Sequence, residues 1–345
     1  MTSPTTAAFI RRTRELREAA ELHELAPAAT RSAESRGRER EEPADVYRTV
    51  FERDRDRIVH SKAFRRLKHK TQVFLDPAGD HVITRLTHTL QVHQIARSLA
   101  AALSLNEALA EAIALGHDVG HTPFGHTGEE ALSPYFPTTG GWHHAAQSVR
   151  IFEVLEDLNL AWEVRDGIRA HSWRIEPPPV TQEALCVRYA DRIAYLTHDV
   201  LDAMRAGVLA EEDLPASVAA CLGPPGSAWI GEMIAAVLDE SLRVGEVRMD
   251  AATLDVMHEL RDFMFARVYL SPAQRTRSAE AIDLLRRLMD WHLDRPDQLP
   301  DSYRDSRADR VTQVADYVAG MTDRFAQRTH ERLFGVPGIT GEGAW

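Results

Sequence analysis

The densest group of side chains that could do chemistry follows an apolar helical stretch. It reads Gly116-His117-Asp118-Val119-Gly120-His121-Thr122-Pro123-Phe124-Gly125-His126-Thr127-Gly128-Glu129. Before Glu129, three histidines and one aspartate lie within ten positions. Such groups are costly to bury unless something pairs with them, and a divalent cation is the simplest partner. The segment therefore predicts a metal-binding or acid–base site.

The spacing within this segment limits how its side chains can converge. Successive helical residues diverge by about 100°, so His117 and Asp118 cannot lie side by side. Both can still reach one ion at the end of a helix. His121 would share the face of His117 only if the helix continued, and the proline and glycines that follow predict a turn. Three residues apart, His126 and Glu129 would share a face of the next segment.

Further ligands must come from elsewhere in the chain. Arg85 and His88 lie three apart on one predicted helix, and Asp191 interrupts an otherwise apolar helical pattern. An aspartate in that setting is seldom buried without a partner. Taken alone, each also fits an ordinary structural role, as a core histidine or an ion-paired carboxylate. Periodicity does not decide why His88 rather than His93 should be a ligand.

The elements that must position these residues are helices, and strand-like alternation is nearly absent. Asn106 is a good N-cap for the helix that leads to His117. Apolar residues recur at helical spacing in Phe9 to Leu25, Asp54 to Leu67, Thr84 to Leu103, Leu109 to Leu115, Val149 to Leu158, Thr181 to Met204, Trp229 to Leu242, Thr253 to Val268, Ser278 to Leu293 and Val311 to Leu333. We therefore predict an all-α protein.

Composition excludes several classes of protein. The 345 residues are 44% hydrophobic and 27% charged, which is ordinary for a globular protein, and no apolar run is long enough to span a membrane. Two cysteines, Cys186 and Cys221, argue against a disulfide framework or a cysteine zinc site and favour a cytoplasmic location. A net charge of −11 excludes a general nucleic-acid coat. An anionic ligand would need a local basic pocket or a metal.

The order of His88, His117-Asp118 and Asp191 resembles the H…HD…D pattern of the HD superfamily of metal-dependent phosphohydrolases. A closer resemblance is to the deoxyguanosine triphosphate triphosphohydrolase family, and it runs from about residue 46 to 205. It is carried by residues 54–67, 70–74, 85–90, 117–129 and 144–148. The family usually has Asn directly after the histidine that corresponds to His144, whereas this chain has Ala145 at that position.

The resemblance implies an HD-domain helical fold, and composition and helical pattern together with its extent divide the chain. Residues 1–45 are expected to form a mobile or helical arm, in which the charged run 36–42 is interpreted as a solvated linker. Residues 46–210 would be the phosphohydrolase core. Residues 211–335 would form a helical subdomain that completes the pocket, and residues 336–345 a flexible tail.

The resemblance also implies an activity and a cofactor. The activity is hydrolysis of a deoxynucleoside triphosphate at the α-phosphorus, giving deoxynucleoside and triphosphate. The metal ligands would be His88, His117, Asp118 and Asp191. This mixed set suits Mn²⁺ or Mg²⁺ first, and Fe²⁺, Co²⁺, Ni²⁺ or Zn²⁺ as well.

Catalytic roles follow from the same resemblance. His126, oriented by Glu129, is the first choice for acid–base work, with His121 and His144 as phosphate contacts or proton relays. Six further histidines lack a pattern of partners and are expected to be supporting or surface residues: His60, His69, His81, His93, His171 and His198.

Substrate contacts are implied as well. Arg85 is the foremost phosphate contact, with Arg192 and Lys70 as further candidates. Gln72 and Asp199 would bind the 3′-hydroxyl of the sugar. Tyr195 would stack under the ring and leave no room for a 2′-hydroxyl.

Alternatives stay open at this point. The HD site could serve another nucleotide, or the chain could be a nucleotide or single-stranded nucleic-acid sensor with little turnover. The sequence does not settle the preferred dNTP, for which Arg267 and Tyr269 are candidate base contacts. It also leaves open a homo-oligomer and a nucleotide or single-stranded DNA effector.

Overall fold

A computed structural model describes residues 9–72, 83–304 and 307–339. Its α-helices are α1 Arg14–Glu24, α2 Val50–His60, α3 Lys62–Arg66, α4 Arg85–Ala102, α5 Glu107–Gly116, α6 Gly125–Leu132, α7 His144–Arg150, α8 Trp162–Ala170, α9 Gln182–Arg205, α10 Ala216–Leu222, α11 Ala228–Val244, α12 Ala251–Met264, α13 Pro272–Asp294, α14 Asp301–Arg304, α15 Arg310–Ala319 and α16 Asp323–Phe334. Within these ranges the only β-pairing is one isolated bridge, between Thr71 and Thr84. The prediction of an all-α protein is confirmed. His81 and part of the predicted tail lie outside the described residues.

Side-chain caps set where several helices begin. The Asn106 side chain accepts the N–H of Leu109 at 3.2 Å, which starts α5 as predicted. Ser61 accepts the N–H of Phe64 at 3.0 Å, so the helix predicted over Asp54 to Leu67 is divided into α2 and α3.

The last long helical pattern, Val311 to Leu333, is also two helices rather than the one predicted. Thr322 has an extended backbone, with φ −87° and ψ 161°, and its side chain accepts the N–H of Phe325 at 3.3 Å. This N-cap begins a new helix at Asp323. The apolar periodicity continues across the break and hides it from the sequence.

Two apolar cores hold the helices together. The larger one is built around α4, α5 and α9, with α2, α8, α11 and α12 packed on it. The second joins α6 to α13, α15 and α16, with Leu132 and Phe124 beside Leu284 and Val318. Each fully buried Leu or Phe side chain stabilises its core by roughly 1.5–3 kcal/mol. The segment that carries His126 is therefore held by the C-terminal helices.

The charged run 36–42 lies against the body of the protein, so its interpretation as a solvated linker is wrong. Arg38 is almost completely buried and forms an ion pair of 2.5 Å with the buried Asp54. Glu163 accepts the N–H of Arg36 at 2.6 Å, and Glu42 pairs with Arg57. A run of charged residues does not indicate that residues of opposite charge, distant in the sequence, lie next to it in the folded protein.

No helix in the described part of the chain combines the length and apolar character needed to cross a membrane.

The Arg38–Asp54 pair allows a test of how the arm contributes to stability. Arg38→Ala should lower the free energy of unfolding by about 3–5 kcal/mol, because Asp54 would stay buried without its cation. The control is Arg40→Ala, which removes only the exposed pair with Asp157 and should cost less than about 1 kcal/mol. Urea unfolding measures both, and equal midpoints for the two variants would contradict the expectation.

Candidate metal centre

Four side chains from three separate parts of the chain converge in one buried place. His88 comes from α4, His117 and Asp118 follow α5, and Asp191 comes from the middle of α9. His88 Nε2 lies 3.1 Å from Asp191 Oδ1 and 4.0 Å from Asp118 Oδ2. His117 Nε2 lies 3.5 Å from Asp118 Oδ1 and 3.9 Å from Asp191 Oδ1. The arrangement brings together two imidazoles and two carboxylates that could share one ion.

The orientation of His117 fits a metal ligand. Its Nδ1 donates to the carbonyl of Ala114 at 2.7 Å, which leaves the lone pair on Nε2. That Nε2 is buried and makes no hydrogen bond. A buried polar atom without a partner is destabilising, whereas a histidine that donates through one nitrogen commonly binds metal through the other.

A close approach of backbone to backbone fixes the turn after α5. A Cβ at Gly120 would clash with the carbonyl of His144 and the N–H of Ser148. The Ser148 hydroxyl accepts the N–H of Gly120 at 2.9 Å and donates to the carbonyl of His117 at 2.8 Å. The helix that carries His144 is thereby fastened to the turn that carries His117 and Asp118.

Neighbouring imidazoles and the Arg85 guanidinium keep the two aspartates ionised in spite of their burial. Burial alone would raise the pKa of Asp118, but His121, His117 and Arg85 together hold that pKa well below its usual value. Arg85 donates to Asp118 Oδ2 at 2.7 Å. Burial would likewise raise the pKa of Asp191, which His88 and the other imidazoles lower. Ionised carboxylates are the form that binds a metal.

A second group of imidazoles surrounds Glu129 beside this centre. Glu129 Oε1 lies 2.6 Å from His144 Nδ1, 3.1 Å from His121 Nδ1 and 3.6 Å from His126 Nδ1. Burial would raise the pKa of Glu129, but these histidines hold it well below its usual value. Glu129 thus lies closer to His144 and His121 than to His126, which it was expected to orient.

The histidines of this group differ in exposure. Burial, with Arg85 nearby, lowers the pKa of His121 to about 3, and burial lowers that of His144 to about 4 in spite of Glu129. Both of these rings are neutral near pH 7 and stack with their centroids 3.9 Å apart. The His126 side chain, in contrast, is 69% exposed and open to solvent.

His171 lies in the candidate site, although its position in the sequence had suggested a supporting or surface role. Its Nε2 lies 3.0 Å from His144 Nε2, and its donor atoms are close enough to those of His117 and Asp191 to share an ion. Its Nδ1 bonds to the carbonyl of Ile168 at 2.7 Å. The sequence feature that could have indicated this is that His171, like His117, directly follows an amphipathic helix. Spacing along the chain could not show that the ends of α5 and α8 meet.

The basic candidates lie in different settings. The Arg192 guanidinium lies 4.0 Å from the centre of the Trp173 ring, and its buried Nε has no hydrogen-bond partner. Burial and the nearby Arg261 lower the pKa of Arg192. Lys70, in contrast, donates to the carbonyls of His121 and Ala319, so its ammonium is engaged by backbone.

Of the candidate sugar contacts, Asp199 is buried, whereas Gln72 and Tyr195 are half-buried. Asp199 accepts a hydrogen bond of 2.6 Å from the hydroxyl of Tyr269, and burial raises the pKa of Asp199 to about 7. Tyr195 lies one turn after Asp191. The buried Oε1 of Gln72 has no hydrogen-bond partner among the residues that the structure describes. The other base-contact candidate, Arg267, is largely exposed and lies 3.7 Å from Asp213.

Comparisons with known proteins find two domain families and several relatives to which this chain is similar. Residues 85–196 match the HD domain, and residues 247–332 match the phosphohydrolase-associated domain. A deoxyguanosinetriphosphate triphosphohydrolase-like protein of Caldanaerobacter subterraneus subsp. tengcongensis is 47% identical over 93% of this chain and 95% of its own length. One of Desulfatibacillum aliphaticivorans is 43% identical over 93% of this chain and 97% of its own length. The structure of a hypothetical protein from Aquifex aeolicus has 22% identity and a TM-score of 0.49, with 82% of this chain and 71% of that chain covered.

Metal content tests the four-residue donor set. Asp118→Ala should retain little of the divalent metal that the wild type binds, because one of two carboxylates is lost. The control is Asp202→Ala on α9, which removes a carboxylate paired with Arg205 and should leave metal content unchanged. Elemental analysis measures the metal, and circular dichroism checks the fold. Wild-type metal content in Asp118→Ala would remove this residue from the ligand set.

Proposed function

The chain belongs to the deoxyguanosinetriphosphate triphosphohydrolase-like family of HD-domain phosphohydrolases, and from this premise we propose that it hydrolyses deoxynucleoside triphosphates at the α-phosphorus. The products are a deoxynucleoside and intact triphosphate. The observation that carries the proposal is the convergence of His88, His117, Asp118 and Asp191 around the unpartnered Nε2 of His117.

These four residues would hold a divalent ion, with Mn²⁺ or Mg²⁺ as the leading candidates. Such an ion neutralises charge on a bound phosphate and lowers the pKa of a bound water. The protein's contribution is to keep both aspartates ionised and His117 in the tautomer that presents Nε2. Both requirements are met by contacts already described.

His126 is proposed as the acid that protonates the leaving 5′-oxygen. Attack of water on the α-phosphorus breaks its bond to that oxygen, which needs a proton to leave as an alcohol. His126 is the exposed imidazole of its group, and its Nδ1 faces Glu129, so Nε2 is available for the transfer. His121 and His144 are neutral and suit hydrogen bonding around the reacting phosphate.

The arginines and the residues of α9 are proposed to bind the rest of the substrate. Arg85 lies at the edge of the donor set through its bond to Asp118, where a guanidinium can contact a phosphate. Arg192 offers a buried Nε that has no hydrogen-bond partner among the described residues. Gln72, Tyr195 and Asp199 would contact the sugar. Self-association and a nucleotide or single-stranded DNA effector stay predictions of the resemblance.

Product analysis tests the reaction. The purified protein, incubated with each dNTP and Mg²⁺, Mn²⁺ or Co²⁺, should release free triphosphate and deoxynucleoside, which anion exchange separates. Pyrophosphate with deoxynucleoside monophosphate would identify cleavage at a different bond and reject the proposal. Binding without turnover under all these conditions would favour a sensor.

Substitution of His126 tests its role as the acid. His126→Ala should lower kcat by about 10²–10⁴-fold, since the 5′-oxygen would have to leave without its proton donor, while metal content stays at the wild-type level. His60→Ala, at an exposed position on α2, is the matched control and should leave kcat unchanged. A wild-type kcat in His126→Ala would dismiss the residue as the acid.

A further inference from the structure

Asp323 joins the C-terminal helices to the turn that precedes His126. It is the first residue of α16, and its carboxylate is buried. Oδ2 accepts hydrogen bonds from the backbone N–H and the hydroxyl of Thr71, at 2.9 and 2.7 Å. Oδ1 accepts the N–H of Phe124 at 3.1 Å. Burial raises the pKa of the Asp323 carboxyl, and the three donors directed at its two oxygens oppose that shift and favour the ionised form.

Lys70 lies near enough to Asp323 for the two groups to interact electrostatically, although burial lowers the pKa of Lys70 to about 7. Its buried ammonium donates to the carbonyl of His121 and, at 3.0 Å, to that of Ala319, the last residue of α15. Its own carbonyl accepts the N–H of Arg85 at 3.1 Å, where α4 begins. Lys70 and Asp323 thus connect α15 and α16 to the His121 turn and to the helix that carries His88. Opposite charges buried together compensate part of each other's desolvation.

The restraint acts on a strained piece of backbone. Phe124 and Gly125 both have left-handed conformations, with φ of 61° and 56°. For a phenylalanine this costs on the order of 1–3 kcal/mol and persists only when the surroundings enforce it. Because α6 begins at Gly125 and His126 is its second residue, the Phe124 backbone sets the direction from which His126 enters the site.

We propose that Asp323, with Lys70 as its counter-charge, is a positioning residue that holds the Phe124 turn so that His126 reaches the leaving oxygen. The proposal rests on the proposed role of His126. It gives the C-terminal helices a part in catalysis. Among the described residues, the Asp323 carboxylate forms no hydrogen bond with a candidate metal ligand or with His126, and its partners are Thr71 and Phe124. A misplacement of about 1 Å can cost roughly a hundredfold in rate.

A double-mutant cycle on the full-length protein tests the proposal. Asp323→Asn should lower kcat by about 10–100-fold with unchanged KM and metal content, because an amide NH₂ opposes one of the donors around the carboxylate. In the His126→Ala background the same substitution should cause no further loss. Equal losses in both backgrounds, or an unchanged kcat in the single variant, would overturn the proposal.

Asp316→Asn is the matched control. Asp316 is equally buried in α15 and accepts hydrogen bonds from Gln147 and Arg150, so it anchors the same C-terminal helices without touching the His121–His126 turn. Its kcat should stay near the wild-type value. A loss equal to that of Asp323→Asn would show that weaker anchoring of the C-terminal helices, not the Phe124 restraint, lowers the rate, and would overturn the proposal.

A 5′-thio dNTP analogue provides the second readout, since its sulfur leaves without a proton. With this substrate, the decrease in kcat caused by His126→Ala and the decrease caused by Asp323→Asn should both be smaller than with dNTP. If the decrease caused by Asp323→Asn is as large as with dNTP, the positioning role is overturned. If His126→Ala alone keeps its kcat with dNTP, the acid assignment fails instead.

Should Asp323→Asn not fold, Thr71→Val removes one donor to the carboxylate. A kcat lowered severalfold supports the proposal, and an unchanged kcat overturns it.

Discussion

The enclosure of two ionised carboxylates among imidazoles, with Asp118 buried and Asp191 largely buried, is the constraint on which the rest of the structure depends. Asp118 and Asp191 are enclosed at the meeting point of α4, α5 and α9, where an isolated charge would be strongly destabilising. His88, His117 and Arg85 surround them. Helices that meet at such a place must bring these partners together, so the fold and the candidate site are products of the same packing.

Close backbone approach is the means by which the packing is achieved. Gly120 lets α7 contact the turn after α5, and Gly125 leaves room for the Arg85 guanidinium. Ser148 then fastens the turn through two hydrogen bonds. The second apolar core adds a different constraint, because it binds α6 to the C-terminal helices rather than to the helices of the first core. The candidate metal ligands and His126 are therefore positioned by different parts of the chain.

Charged residues account for most of the difference between expectation and structure. Arg38 reads as part of a solvated run, yet it neutralises the buried Asp54. Lys70 reads as a phosphate contact, yet its ammonium is held by backbone carbonyls. In each case the local sequence is polar and uninformative, because the partner lies far away along the chain. Long-range pairing of charge is a property of the folded molecule.

The helical class, the N-cap at Asn106 and most helix positions were predictable from the order of residues, since they depend on local periodicity and on hydrogen bonds between near neighbours. The family resemblance also indicated most of the residues of the candidate site. Three contacts appear only in the folded chain: His171 lies beside His144, Glu129 lies nearer to His144 than to His126, and Asp323 accepts the N–H of Phe124. These contacts join residues brought together by helix packing, and a periodicity of a few residues carries no information about which helix ends meet.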